Sequence, residues 1–178
     1  MIIIINIKRW KISNNHFIQN DIMKKLFFSL INNQKWNTVI ELIEEQQLNI
    51  NYRDNKGRNA LFWAIHSSNI QAIEKLIKLG INQNVTTNLT AINYAVYKDN
   101  VKIIKCLRNC GLDINQTDDI HSTALIYAVL YNKLNSINYL VDNGANIYHE
   151  DFLGNSAFSL AFDLKIKYLM DKFSNLSK

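Results

Sequence analysis

The stretch Thr123-Ala124-Leu125-Ile126-Tyr127-Ala128-Val129 sets a hydroxyl beside an alanine and a large apolar residue, then repeats the small-large pair one helical turn later. Three other segments carry the same arrangement: Asn59-Ala60-Leu61-Phe62 with Ala64-Ile65, Thr90-Ala91-Ile92-Asn93 with Ala95-Val96, and Ser156-Ala157-Phe158-Ser159 with Ala161-Phe162. Their first residues are 31, 33 and 33 positions apart, and self-similarity at a fixed period of that size marks a stacked repeat architecture. In each segment the Asn, Thr or Ser side chain can accept a backbone N–H of the first turn and start a helix. The alanines allow a neighbouring backbone to approach closely.

A second helix is predicted after each of the first three segments. Apolar residues recur at helical spacing at Ile70, Ile73, Leu76 and Ile77, at Val101, Ile104 and Leu107, and at Leu134, Ile137, Leu140 and Val141. Each of these runs ends in glycine, at Gly80, Gly111 and Gly144, where a left-handed residue closes a helix at little steric cost. The unit is therefore a capped helix, a short turn, a second helix, a glycine stop and a polar loop.

This unit resembles the ankyrin repeat, whose period is about 33 residues with a Thr-Pro-Leu-His signature. The resemblance spans roughly residues 24–172 and is carried by Asn59, Thr90, Thr123 and Ser156 at the signature threonine. Asp54 with Gly57 and Asp151 with Gly154 stand in the preceding hairpin, and Gly144-Ala145-Asn146-Ile147 matches the family's ending. Alanine replaces the signature proline throughout, so the preset φ of the helix start is lost while the side-chain cap, worth about 1 kcal/mol, is kept. Ser68-Asn69, Asp99-Asn100 and Asn132-Lys133 replace the family's Gly-His between helices.

The resemblance implies an all-α ankyrin-repeat solenoid of stacked helix-turn-helix units with short β-hairpin-like loops. The divisions expected are an N-terminal extension at 1–22 and a degenerate capping repeat at 23–47. Full repeats follow at 48–80, 81–111 and 112–144, and a truncated C-terminal capping repeat with its tail occupies 145–178. The loop from Gly80 to Ile92 is two residues shorter than that from Gly111 to Leu125, which predicts a truncated hairpin around Val85–Asn88. A clipped final helix is expected at Ile166, Leu169 and Met170. Met23 offers an alternative start.

Composition narrows the function classes. The chain of 178 residues is 48% hydrophobic and 20% charged, ordinary for a globular protein, but it has no proline. Asn and Ile each make up about one residue in seven, a bias toward A/T-rich codons. The net charge of +5 is uneven. Residues 1–25 carry Lys8, Arg9, Lys11, Lys24 and Lys25 against Asp21, or 5 − 1 = +4, leaving 15 basic and 14 acidic residues beyond. A nearly neutral repeat body lacks the extended basic footprint of a phosphate-backbone binder. The apolar run Ile2–Ile5 is too short for a signal or a membrane span, and the two cysteines fit a reducing, cytoplasmic setting.

No phosphate loop, nucleophile elbow, zinc-protease motif or dinucleotide turn occurs, so the expectation is a non-enzyme without cofactor or metal. Cys106 and Cys110, spaced four apart, read as ordinary unpaired cysteines rather than zinc ligands. A Cys106/His121 nucleophile lacks an orienting third group. The pairs Asp118-Asp119 and Glu150-Asp151 read as solvated carboxylates on hairpin tips.

The family resemblance implies that hairpin tips and the exposed face of the inner helices bind a protein partner of a monomeric chain. Carried onto this sequence, those positions are Arg53, Asn55, Lys56 and Arg58 with His66 and Ser67, then Tyr97 and Lys98. The third repeat supplies Asp119, Ile120, His121 and Ser122 with Leu130 and Tyr131, and the last supplies Phe152, Leu153 and Asn155. Charge on this surface is expected to run from basic at Arg53, Lys56 and Arg58 to acidic at Asp118, Asp119, Glu150 and Asp151, orienting a dipolar segment. Tyr97, Ile120, Leu130, Tyr131, Phe152 and Leu153 are expected to form an exposed apolar patch. Adaptor, inhibitor and secreted bacterial effector acting in host cytoplasm are the roles this implies. The alternative is attachment to nucleic acid or a membrane surface through the basic segment Lys8 to Lys25.

Overall fold

A computed structural model of the protein describes residues 16–176, with side chains from Asn20 onward. Ten helices and no strand occur among the described residues. In chain order they are α1 (His16–Asn32), α2 (Trp36–Glu44), α3 (Ala60–His66), α4 (Ile70–Lys78), α5 (Ala91–Tyr97), α6 (Val101–Asn109), α7 (Ala124–Leu130), α8 (Leu134–Asp142), α9 (Ala157–Asp163) and α10 (Lys167–Leu176). Consecutive helices pair, α1 with α2 through α9 with α10. The odd-numbered helices stack into an inner row and α2, α4, α6 and α8 into an outer row. The chain is an all-α repeat solenoid, as the periodicity requires.

Local chemistry explains where the helices begin. Asn59, Thr90, Thr123 and Ser156 each accept a backbone N–H with their side chains, from Phe62, Asn93, Ile126 and Ser159 respectively. Each of these inner helices has only seven residues, too short to persist alone in water. Stacking supplies what length does not: Leu61, Ile65, Ile92, Val96, Leu125 and Val129 are all buried between adjacent units, with the repeated alanines between them. In the outer row Asn69 and Asn100 cap α4 and α6. Lys133 cannot do so for α8. There Asp99 of the preceding unit takes over, accepting from Ser136 N at 3.0 Å and from the buried Ser136 Oγ at 2.6 Å. Helix initiation in one unit is thus supplied by the turn of another.

Two length expectations are corrected. The hairpin of the second full unit is not truncated. Val85 N donates to Leu89 O at 2.8 Å just as Asp54 N does to Arg58 O, Asp118 N to Ser122 O and Asp151 N to Asn155 O. The missing pair falls earlier, in the lead-in Ile81–Asn84. That segment lacks the extra turn that Gln116 N closes onto Asp113 O in the next unit. The last unit is not clipped either, since α10 spans ten residues against nine in α4, α6 and α8. Helix α1 also runs unbroken through the boundary expected at 22/23. Lys8, Arg9 and Lys11, with the rest of the basic segment before His16, lie outside the described residues.

Gly57 shows how closely adjacent hairpins meet. It has φ +73°, and a Cβ added there would stand 3.1 Å from Thr87 Oγ1 of the next unit. Gly154 has a similar φ of +78° with open space around it. Gly57→Ala should therefore cost about 1–2 kcal/mol for the left-handed backbone plus a displacement of Thr87, and Gly154→Ala the backbone cost alone. Urea denaturation of the two variants side by side checks the difference.

Candidate partner-binding surface

The hairpins are organised by carboxylates that point inward. Asp54, Asp118 and Asp151 each stand five residues before a helix cap. Asp54 Oδ1 accepts from Lys56 N and Arg58 N, Asp118 Oδ1 from Ile120 N and Ser122 N, and Asp151 Oδ1 from Leu153 N and Asn155 N. Asp151 is buried and also accepts from Ser122 Oγ at 3.0 Å. Burial alone would raise its pKa. The hydrogen bonds from Asn155, Ser122 and Leu153 outweigh that and hold it below the usual carboxylate range. The same opposition, with Arg58 and Lys56 donating and the Arg58 guanidinium adding its charge, lowers Asp54. The expectation of solvated tip carboxylates is therefore corrected for Asp118 and Asp151, while Asp119 and Glu150 are exposed.

Two of the basic residues assigned to the binding surface are likewise turned inward. Arg53 donates to Gly57 O at 2.7 Å and to Asn84 O at 2.8 Å, tying the first hairpin to the loop of the next unit. Arg58 pairs with Asp54 at 2.7 Å and lies over the Trp63 ring at 4.3 Å. Both are half-buried. Asn55, Lys56, His66 and Lys98 are exposed. The charge gradient expected along the surface thus reduces to Lys56 at one end and Asp119 with Glu150 at the other, because the remaining charges are spent holding loops.

The apolar residues have the opposite fate. Tyr97 is 55% exposed, Ile120 48%, Leu130 48%, Tyr131 46%, Phe152 72% and Leu153 77%. Hairpin tips carry three of them, and these tips are joined: Phe152 N donates to Ile120 O at 3.0 Å, and the His121 ring stacks on Phe152 at 5.1 Å. His149 lies 4.8 Å from His121 and hydrogen-bonds its carbonyl oxygen. The other three close the inner helices, where Tyr131 packs edge-on against Tyr97 at 5.8 Å. Tyr127 links the two groups, stacking on Tyr131 at 6.0 Å and donating its hydroxyl to Asp118 at 2.7 Å. Burial and this carboxylate push the Tyr127 phenol up, so it remains a donor at any ordinary pH.

Sequence reasoning missed the aromatic members beneath this surface. Phe62 stacks on Tyr94 at 4.4 Å, and Tyr94 hydrogen-bonds His66 at 2.9 Å. Lys133 stands 5.8 Å over Tyr97. The available signal was the four-residue spacing of Tyr127 and Tyr131, which stacks two rings on one helix face.

Reactive chemistry is poorly served by this arrangement. Cys106 is buried on α6, where burial first and the neighbouring Cys110 second push its thiol up to about 12. His121 is occupied with Phe152, His149 and the Glu150 backbone. No group of three or more His, Cys, Asp or Glu among the described residues could hold a metal. No described helix is long and apolar enough to cross a membrane. A cleft of about 620 Å³ lies between α2 and α4 on the outer row, lined by Trp36, Ile40, Glu41, Glu74 and Lys75 among others. It contains none of the residues assigned to binding.

The family profile of ankyrin repeats (3 copies) matches residues 84–151. An ankyrin repeat protein of Acanthamoeba polyphaga mimivirus is 31% identical over 134 residues, 74% of this chain and 17% of that protein. An interferon antagonist of vaccinia virus (strain Western Reserve) is 29% identical over 109 residues, 61% of this chain and 37% of that protein. A palmitoyltransferase of Debaryomyces hansenii is 26% identical over 123 residues, which is 15% of its own length. The chain thus spans well under half the length of these relatives. With capped inner helices, glycine-stopped outer helices and Asp-organised hairpins recurring in register, the chain belongs to the ankyrin-repeat family, whose repeats are protein-interaction modules.

Proposed function

We propose that this protein binds a partner protein through the hairpin tips and inner-helix ends of its C-terminal half, and that it acts by occupancy as an adaptor or inhibitor. The observation that carries this reading is the exposure of six large apolar side chains on one side of the solenoid, three of them aromatic, at the edges of adjacent hairpins and helices. A soluble surface rarely leaves such a cluster uncovered unless it is an interaction site. Aromatic side chains are also the residues that most often dominate binding energy. The complementary partner segment presents apolar side chains to Tyr97, Leu130, Tyr131 and Phe152, with a basic group beside Asp119 and Glu150.

The viral relatives, one of them an interferon antagonist, support a role in interfering with a host protein in the cytoplasm. They favour a viral over a bacterial form of effector. Attachment through the basic N-terminal segment is the competing reading. Affinity capture separates the two. A chain lacking residues 1–15, which leaves α1 whole, should retain its partner, and the full chain with Tyr131→Ser and Phe152→Ser should lose it. The reverse pattern would transfer binding to the basic segment.

A further inference from the structure

The exposed apolar side chains fall into two groups at opposite ends of the inner helices. Ile120, Phe152 and Leu153 stand on hairpin tips, ahead of the helix starts, whereas Tyr97 and Leu130 close α5 and α7 and Tyr131 follows α7. The seven residues of α7 hold the groups apart by about 10 Å or more. Tyr127 spans the gap, with its ring on Tyr131 and its hydroxyl on Asp118. Charge is sorted the same way. Asp119 and Glu150 are exposed at the tip end. At the helix end Lys98 is exposed and Lys133 lies 5.8 Å over the Tyr97 ring. None of these four residues joins an ion pair among the described residues. The neighbouring carboxylates are engaged elsewhere: Asp118 and Asp151 bind their own hairpin amides, and Asp99, beside Lys98, receives Asn135 and Ser136 of α8. At the same end of α9, Asp163 and Lys165 stand close in sequence and add no net charge.

A surface that is apolar at both ends, acidic at one and basic at the other is complementary to an α-helix. Aligned peptide dipoles give a helix about half a positive charge at its N-terminus and about half a negative charge at its C-terminus. Its side chains return to one face every three to four residues, so apolar residues two or more turns apart reach both groups while the helix ends meet opposite charge. An extended segment offers no comparable dipole along its axis.

We propose, resting on the reading of this surface as a protein-binding site, that the partner segment is an amphipathic α-helix laid along α7, its N-terminal end over Asp119 and Glu150 and its C-terminal end over Lys98 and Lys133. Apolar side chains at the two ends of its buried face pack on Phe152 and on Tyr131. The aromatic contacts supply affinity, and the sorted charges fix the direction in which the helix lies.

Fluorescence anisotropy of the full chain with two stapled helical peptides tests the proposal. Both peptides span three turns, have blocked ends and carry leucines along one face. The first has two lysines in its opening turn and two glutamates in its last, and the second has these charges exchanged. Their net charge is equal, so the basic segment before His16 attracts both alike. The first should bind at least about tenfold more tightly, equivalent to about 1.4 kcal/mol. Lys98→Glu combined with Glu150→Lys leaves one charge of each sign at either end and should abolish that preference. Equal affinities for the parent chain, tighter binding of the second peptide or failure of both to bind would overturn the proposal. An unstapled, proline-containing form of the first peptide that binds as well as the helix, and is weakened by Phe152→Ser, would overturn the helix while leaving the surface in place. Peptide binding indifferent to both Tyr131→Ser and Phe152→Ser would remove the surface reading as well.

Discussion

Replacing Asp151 with alanine is expected to destabilise the fold by about 2–4 kcal/mol, although the residue sits in a loop. Its carboxylate receives Leu153 N, Asn155 N, Ser122 Oγ and Asn155 Nδ2 within 2.9–3.3 Å, and it is only 7% exposed. Truncation leaves the buried Ser122 hydroxyl and the hairpin amides without an acceptor, at a cost of about 1–3 kcal/mol for each donor that water cannot reach. It also removes one of the hydrogen bonds that join the third and fourth units. Glu150→Ala, one residue away and exposed, should stay within about 0.5 kcal/mol of the parent.

The sign of the pH dependence follows from the same geometry. The folded pKa of Asp151 lies below its unfolded value of about 3.9, so its stabilising contribution is complete above that value. It is lost as pH falls through the lowered folded pKa, where the native carboxylate takes up its proton. Asp54 adds to the effect in the same direction. Urea midpoints measured from pH 5 downward should fall for the parent chain and fall less steeply for Asp151→Asn.

Tyr131→Ser and Phe152→Ser are each expected to weaken partner binding about 30-fold, equivalent to about 2 kcal/mol, and together by more than either alone. Stability should change little, because Phe152 is 72% exposed and Tyr131 follows the end of α7 with only ring contacts to Tyr97 and Tyr127. Arg53→Ala should behave in the opposite way. Its guanidinium reaches Gly57 O and Asn84 O, so its loss should lower the melting temperature while sparing affinity. Calorimetric titration with the captured partner, paired with thermal denaturation of each variant, distinguishes the two classes.

That contrast also marks how far the sequence could be read. Caps and glycine stops are encoded within a few residues of where they act. Asn59, Thr90, Thr123 and Ser156 could therefore be placed on helix starts, and Gly80, Gly111 and Gly144 just beyond helix ends, without knowing any distant contact. Arg53 could not be placed in this way, since its acceptor at Asn84 is 31 residues away and becomes a neighbour only once the units stack. The inward carboxylates were closer to legible. Asp at the same offset from three caps is more regular than a solvated tip demands, and Val85, fully buried at the fourth equivalent position, confirms that the site faces inward. The exposure of Phe152 and Leu153 could be anticipated from the register alone, because hairpin tips lie outside the helix-on-helix stacking that forms the core.

The most direct test of binding at the hairpin-tip surface is site-specific photo-crosslinking with a benzophenone amino acid placed at Phe152 or, on the outer row, at Gln71, which lines the cleft between α2 and α4. The partner should crosslink through position 152 and not through position 71. Crosslinking at 71 with none at 152 would contradict the assignment of the binding surface.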